Sequence, residues 1–244
     1  MKSFLLLALS FMGFYTIGFS QLEIQSQQTK KAGWQNTKLP TQCSFEVERG
    51  HAYRKLLPNE TFLNKPLGEL ANEVPSNLCS FRLGIQTGIG KYFRFDSGLQ
   101  WLQNGEAYQF ISTTSDSTYA YVNRYRYLGM PLALSFQYGH SIRFFIGPGI
   151  NPLIFNRFIQ NQNWTTALGS KQDASVKIKN NQFNAAVLQA FIQIGVQFTA
   201  KSGWGISSKY IYRQQLINTH TKYYDYLHKP YAWGLEFGIT KTLP

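Results

Sequence analysis

From Tyr231 to Ile239 the chain alternates without a break: Tyr231, Trp233, Leu235, Phe237 and Ile239 are large and apolar, while Ala232, Gly234, Glu236 and Gly238 stand between them. Residues two apart share a face only in an extended strand, so this period predicts a β-strand and excludes a helix. The same beat recurs upstream. Leu128, Met130, Leu132, Leu134, Phe136 and Tyr138 alternate with Gly129, Pro131, Ala133, Ser135 and Gln137. Comparable runs span Phe81 to Gly90, Arg94 to Trp101, Ile142 to Ile150, Leu188 to Phe198 and Trp204 to Arg213. Each is close to the roughly 9–11 residues that a tilted strand needs to cross a bilayer.

The connections have a rhythm of their own. They are short at Tyr92-Phe93, Gly139-His140-Ser141 and Lys201-Ser202, and long at about 104–125, 156–184 and 217–230. Short turns alternating with long loops are the layout of an up-and-down membrane barrel, which has an even number of strands. An eighth strand is therefore expected upstream, and Cys43 to Tyr53 supplies it, with Phe45 and Val47 alternating with Glu46 and Glu48. A long connection over 54–79 then follows. The expected fold is all-β, an eight-stranded antiparallel up-and-down transmembrane β-barrel occupying residues 41–244.

Composition decides which way the strands face. A soluble lipocalin-like barrel would put its polar set in water and fill it with Lys, Glu and Asp. Here that set is mostly Gly, Ser, Ala and Gln, which suits a narrow interior instead. Charged residues make up 15% of the chain and aromatic residues 16%, against about 25% charged in soluble domains. Phe81, Trp101, Tyr138, Trp204 and Tyr231 fall near strand ends, where the aromatic girdles of a membrane barrel lie.

The N-terminus points to export. Lys2, an apolar run from Phe4 to Tyr15 and small residues at Gly18 and Ser20 form a signal peptide over 1–20, with cleavage before Gln21. Residues 21–40 are rich in Gln, Lys and Thr and read as a flexible periplasmic lead-in. The expected location is the outer membrane of a Gram-negative cell. The formal charge of +12 does not imply nucleic acid, because an exported chain without a clustered aromatic-basic module does not fit that partner. Basic residues are spread over the tail and loops, among them Lys171, Lys177 and Lys179. Such a rim either attracts anionic lipid and lipopolysaccharide phosphates or simply solvates the loops. Other envelope proteins are possible partners, and no cofactor is expected.

An eight-stranded barrel encloses a space that side chains can fill. The charges expected inside are Glu46, Glu48, Arg82, Arg94, Asp96, Arg143, Lys209, Arg213 and Glu236. Buried ions must pair, so a salt-bridge network is expected, forming either a structural polar plug or a narrow path for ions and small solutes. A loop-based enzyme has little to draw on. His220 and His228 match no strong metal-ligand spacing, and with Tyr223, Tyr224 and Tyr226 they read as an exposed loop surface. Cys43 and Cys79 start neighbouring strands at opposite ends of the barrel. Disulfides need Cα atoms within about 7 Å, so no bond between them is expected.

The chain from about Cys43 onward resembles the PorT-like outer-membrane β-barrel family of Bacteroidetes. Phe81-Arg-Leu-Gly-Ile-Gln-Thr-Gly, Ser97-Gly-Leu-Gln-Trp, Phe145-Ile-Gly-Pro-Gly-Ile and Gly234-Leu-Glu-Phe-Gly-Ile carry the resemblance. Its most specific part is Tyr127-Leu-Gly-Met-Pro-Leu-Ala-Leu. Many such barrels finish on an aromatic residue, whereas this sequence finishes Thr242-Leu243-Pro244. The resemblance implies a barrel without assigned chemistry, and an accessory role in protein secretion as one alternative.

Overall fold

The computed structural model describes residues 39–54, 56–58, 72–112, 117–166, 168–178, 182–221 and 226–243. The expected signal peptide, nearly all of the lead-in, and Tyr223 and Tyr224 lie outside these residues. The strands in chain order are β1 (Gln42–Tyr53), β2 (Leu56–Pro58), β3 (Glu73–Val74), β4 (Ser76–Ile89) and β5 (Phe93–Ile111). They continue with β6 (Thr118–Gly129), β7 (Leu132–Gly139), β8 (Ile142–Thr165) and β9 (Lys171–Ile178). The last are β10 (Ala186–Thr199), β11 (Trp204–Gln215), β12 (Tyr226–His228) and β13 (Tyr231–Thr242).

Eight staves close a ring. β1 pairs with β4, β4 with β5, and β5 with β6 and β7 in turn; these pair with β8, and the ring continues through β10, β11 and β13 back to β1. Every pairing is antiparallel. β6 and β7 are one stave, because the register against β8 continues from Gly129↔Leu153 to Leu132↔Ile150 across Met130 and Pro131. Proline lacks an N–H, so it drops one rung of the ladder without bending the stave out of line.

The polarity of the ring is inverted relative to a soluble barrel. Leu83, Phe144 and Ile206 point outward and are 62%, 64% and 64% exposed, whereas the inward Gln189, Gln193 and Gln197 of β10 are sealed from solvent. A continuous apolar band of this extent on the outer face is the surface that lipid covers. The fold is an eight-stranded transmembrane β-barrel.

The seam between β1 and β13 runs from Gln42↔Thr242 to Tyr53↔Tyr231. Toward its Tyr53 end Gly50 faces Gly234 so closely that a Cβ on Gly50 would lie 2.1 Å from the Trp233 carbonyl oxygen. Only glycine allows that approach. Cys43 stands opposite Lys241 and Ile85, while Cys79 stands opposite Arg49, six residues further along β1. Both cysteines are free.

Two connections expected from the sequence are largely strand. β5 runs to Ile111 and β6 begins at Thr118, while β8 runs to Thr165 and returns as β9. The reason lies on the outer face. Beyond Trp101 and Leu128 the outward side chains become Gln103, Arg124, Arg126 and Arg157, so the apolar half of the alternation stops where lipid stops. Backbone pairing does not stop there. The register of β6 on β8 slips by one residue between Arg126 and Tyr127, so Asn156 bulges from the ladder at this level. β5, β6, β8 and β9 thus rise as a wall beyond the band at the long-loop end of the barrel.

The seam register gives a direct test. With Cys79 replaced by Ser, Lys241→Cys should form a disulfide with native Cys43 under mild oxidation, because directly opposed residues are about 4.5–5.5 Å apart. The crosslinked barrel should migrate differently on a non-reducing gel, and failure to crosslink would refute closure in this register.

Candidate functional site

The alternation that puts apolar residues into lipid puts charge into the lumen. Glu46 and Glu48 of β1, Arg82 of β4, Asp96 and Arg94 of β5, Lys209 and Arg213 of β11, and Glu236 of β13 all point inward and are buried. Four carboxylates therefore meet four cations. Arg82 binds Glu46 through its guanidinium and reaches Glu236 Oε1 at 3.0 Å. Lys209 Nζ bridges the same two carboxylates, at 3.1 Å from Glu46 Oε1 and 2.7 Å from Glu236 Oε1. Arg213 pairs with Glu48 and also donates to the Gln103 carbonyl oxygen at 3.1 Å. Arg94 Nε meets Asp96 Oδ1 at 2.8 Å.

Arg143 does not join this network. It is half-buried at the start of β8 and donates through Nε to the His140 carbonyl oxygen at 2.9 Å. One residue from the short turn, its side chain can reach the barrel mouth and water, so it needs no buried carboxylate.

Amides fill the gaps between the ions. Arg94 donates to Gln197 Oε1 at 2.8 Å, Gln197 donates to Gln42 Oε1 at 2.6 Å, and Gln193 donates to Asp96 Oδ2 and Ser135 Oγ, both at 2.9 Å. Asn151 donates to Gln100 Oε1 at 2.7 Å. In the sequence these glutamines are only small-polar filler; the ring makes them ligands of the charges. A residual cavity of about 10 Å³ beside Arg82, Gln100 and Arg213 has room for about one water molecule.

A second cluster closes the long-loop end. Glu106, which the sequence reading leaves in a loop, continues the inward row of β5 above the apolar band. His228 Nε2 lies 3.0 Å from Glu106 Oε2, and Asn123 and Tyr125 donate to Glu106 Oε1 at 2.6 and 3.1 Å. Thr219, His220 and His228 turn inward over the lumen. There His220 packs on Phe183, and Tyr125 packs on Phe158 and His228. β12 pairs with β2 across the same end. His220 and His228 are therefore not on a loop surface: they are 7% and 0% exposed. An imidazole adjoining a carboxylate and aromatic rings gains more by filling the mouth than by facing water, and the parity that carries Glu106 inward was the signal for it.

Burial opposes ionisation of Glu106, but the adjoining His228, the Asn123 amide and Arg54 outweigh it and hold the carboxyl at about 2. Burial beside His228 lowers the His220 imidazole to about 4.

Thr219 Oγ1, His228 and Glu106 form a hydroxyl–imidazole–carboxylate row, with Thr219 Oγ1 2.9 Å from His228 Nδ1. That order is the one a nucleophilic triad uses. Here Thr219 Oγ1 also accepts from Gln215 at 2.9 Å, and Thr219 and His228 are 1% and 0% exposed. The row is sealed from solvent and forms a latch that ties Thr219 and His228 to Glu106 of β5 over the lumen. Architecture and interior together define a transmembrane barrel with a side-chain-filled polar lumen and a latched long-loop end.

No protein-family model matches the chain, and no curated protein matches it in sequence. Solved structures of similar course include Neisserial surface protein A, at 11% identity over 83% of this chain and 97% of that one, with a TM-score of 0.43. The outer-membrane protease OmpT from Escherichia coli is 9% identical over 88% of this chain and 100% of that one, with a TM-score of 0.42. The attachment invasion locus protein Ail of Yersinia pestis is 11% identical over 82% of this chain and 99% of that one, with a TM-score of 0.29.

Breaking one buried pair should be costly. Arg213→Met leaves Glu48 without its partner and should lower stability by about 3–5 kcal/mol, whereas Glu48→Gln with Arg213→Met should recover most of it. Urea titration of the folded barrel in detergent measures both; an unaltered midpoint in the single variant would show that the pair carries no load.

The latch has a pH signature. Glu106 sits below its usual 4.5, so its stabilisation is complete above that pH and fades as pH falls toward about 2. His220 sits below its usual 6.5, so the folded state loses ground as pH falls from 6.5 to about 4. Both act in the same direction. Thermal unfolding should therefore move to lower temperature on acidification, and His220→Phe should flatten the upper window.

Proposed function

We propose that the chain is exported through a cleaved signal peptide at residues 1–20, passes a short lead-in, and inserts into the Gram-negative outer membrane. The short turns then face the periplasm and the long hairpins face outward. Its role on this reading is structural or interactive: a closed barrel that displays a rigid surface, neither a channel nor an enzyme. The observation that carries this is the wall. β5 has 19 residues and β8 has 24, while β10, β11, β13 and β1 have 12 to 14. A bilayer asks for only about 9–11. At about 3.3 Å per residue, the surplus in β8 carries paired backbone some 40 Å along the strand direction beyond lipid.

Such a wall has no use in crossing the membrane, and a sheet places side chains for a partner more firmly than a loop does. The filled lumen supports the same reading, because paired ions and amides leave no continuous path. We also place the chain with the PorT-like barrels, on the strength of Tyr127-Leu-x-x-Pro131-Leu. That motif straddles the β6–β7 junction, where Tyr127 packs edge-on against Phe155 and Pro131 faces the lumen.

Orientation and insertion are tested together. In a background with both native cysteines replaced, Leu168→Cys at the 95% exposed tip of the β8–β9 hairpin should react with a membrane-impermeant maleimide on intact cells. Ser202→Cys, in a short turn, should react only after lysis. Reversed labelling would overturn the orientation, and recovery of the protein in the soluble fraction would overturn the location. Steady single-channel conductance in a planar bilayer would sink the closed-lumen reading.

A further inference from the structure

The outer face of the wall changes character abruptly where it leaves the apolar band. On β6 the outward row runs Leu128, Arg126, Arg124, and Leu128 is 51% exposed. Arg126 stands directly opposite Arg157 on β8, and Arg124 stands opposite Ile159. Lys177 of β9 faces the same Ile159 from the other side. Three guanidiniums and an ammonium thus share one face across three adjacent strands. Opposed residues in an antiparallel pair have Cβ atoms only about 4.5–5.5 Å apart, and like charges there destabilise the sheet. Nothing nearby offsets this: among the described residues, none of the four pairs with a carboxylate, and Arg126 Nε is buried without a hydrogen-bond partner. Asp173, on the same outward row of β9, is four residues beyond Lys177.

Height fixes what the site meets. Two residues of strand span about 6.8 Å, which places Arg126 one step above Leu128 and the hydrocarbon edge. Strand tilt of about 40° reduces each step to roughly 5 Å of height. The headgroup layer on each side of a bilayer is about 5–7 Å deep, so Arg126 and Arg157 sit within it, while Arg124 and Lys177 stand roughly 10 Å above the edge and reach back to it through their long side chains. Guanidiniums form paired hydrogen bonds to phosphate oxygens, and a cluster of cations beside lipid favours an anion that lipid itself supplies. A single phosphodiester carries one negative charge, too little for four cations.

We infer that Arg124, Arg126, Arg157 and Lys177 form a binding site for a lipid headgroup bearing two phosphates, as in the lipid A part of lipopolysaccharide. Bound phosphates screen the Arg126–Arg157 repulsion and tie β6, β8 and β9 together at the Asn156 bulge. The inference rests on the outer-membrane reading above, which puts this end of the barrel in the outer leaflet.

The test uses the full-length mature barrel refolded in detergent, with Arg126→Gln/Arg157→Gln as the variant and Lys201→Gln/Lys241→Gln at the opposite end as control. Bisphosphorylated lipid A should bind the wild type and the control alike. Each cation near an anionic surface contributes about five-fold, so the double variant should bind roughly thirty-fold more weakly. Thermal melting supplies a readout that a merely damaged fold would not give. Without lipid A the variant should melt at or above the wild-type temperature, because a repulsion has been removed; with lipid A the order should invert. Equal binding by the variant, equal binding of dephosphorylated lipid A or of phosphatidylglycerol, or equal stabilisation by inorganic phosphate alone would each overturn the proposal. Fractionation of the same wild-type protein away from the outer membrane would instead overturn the reading beneath it, and the two failures are separable.

Discussion

Inside a bilayer no water satisfies a backbone N–H or C=O, so a sheet survives there only if it has no edge. Everything else in this barrel follows from that constraint. The ring closes because β1, at one end of the sequence, finds β13, at the other, and a Gly50–Gly234 contact lets their backbones meet. Closure then leaves each stave one face in lipid and one in the lumen. The outer face must be apolar, and polar groups accumulate on the only face left to them.

Charge inside such a narrow space is a risk that only pairing removes. Lys209 and Arg82 each hold Glu46 and Glu236, so those four groups, drawn from β1, β4, β11 and β13, form one unit across the seam. The network therefore favours the closed ring over any partly formed one, since opening the seam separates the carboxylates of β1 from the two cations of β11. The latch at the long-loop end follows the same logic with different groups: Glu106 is satisfied by an imidazole and two neutral donors.

Much of this was legible in the sequence, and the limits of legibility have a physical cause. The staves within the band were readable because lipid on one side and a polar lumen on the other impose opposite demands at every second residue, as in Tyr231 to Ile239. Glu46, Arg82, Lys209 and Glu236 were readable as a lumen set by parity alone. β9, the upper parts of β5, β6 and β8, and Glu106 were not. There water replaces lipid outside, both faces tolerate polar residues, and Arg124 and Arg126 look like loop charges although their backbone is fully paired. His220 and His228 misled for a related reason: aromatic and polar residues in a long connection suggest exposure unless the chain is known to fold back over a mouth. Arg143 met the parity rule but not the depth rule, because one residue from a turn a long side chain reaches water.

The wall occupies β5, β6, β8 and β9, and so belongs to one side of the ring. A molecule approaching from above the membrane meets paired strands on that side, while a neighbour drifting within the membrane meets the same lipid-facing band from any direction. The barrel therefore has a front and a back. Rotation about its own axis, which leaves the membrane-embedded ring nearly unchanged, moves the projecting sheet from one neighbour to another. Contacts made through the wall would fix the barrel's bearing in the membrane as well as its position, and an array of such barrels would inherit a direction from a feature that lies beyond the hydrocarbon core.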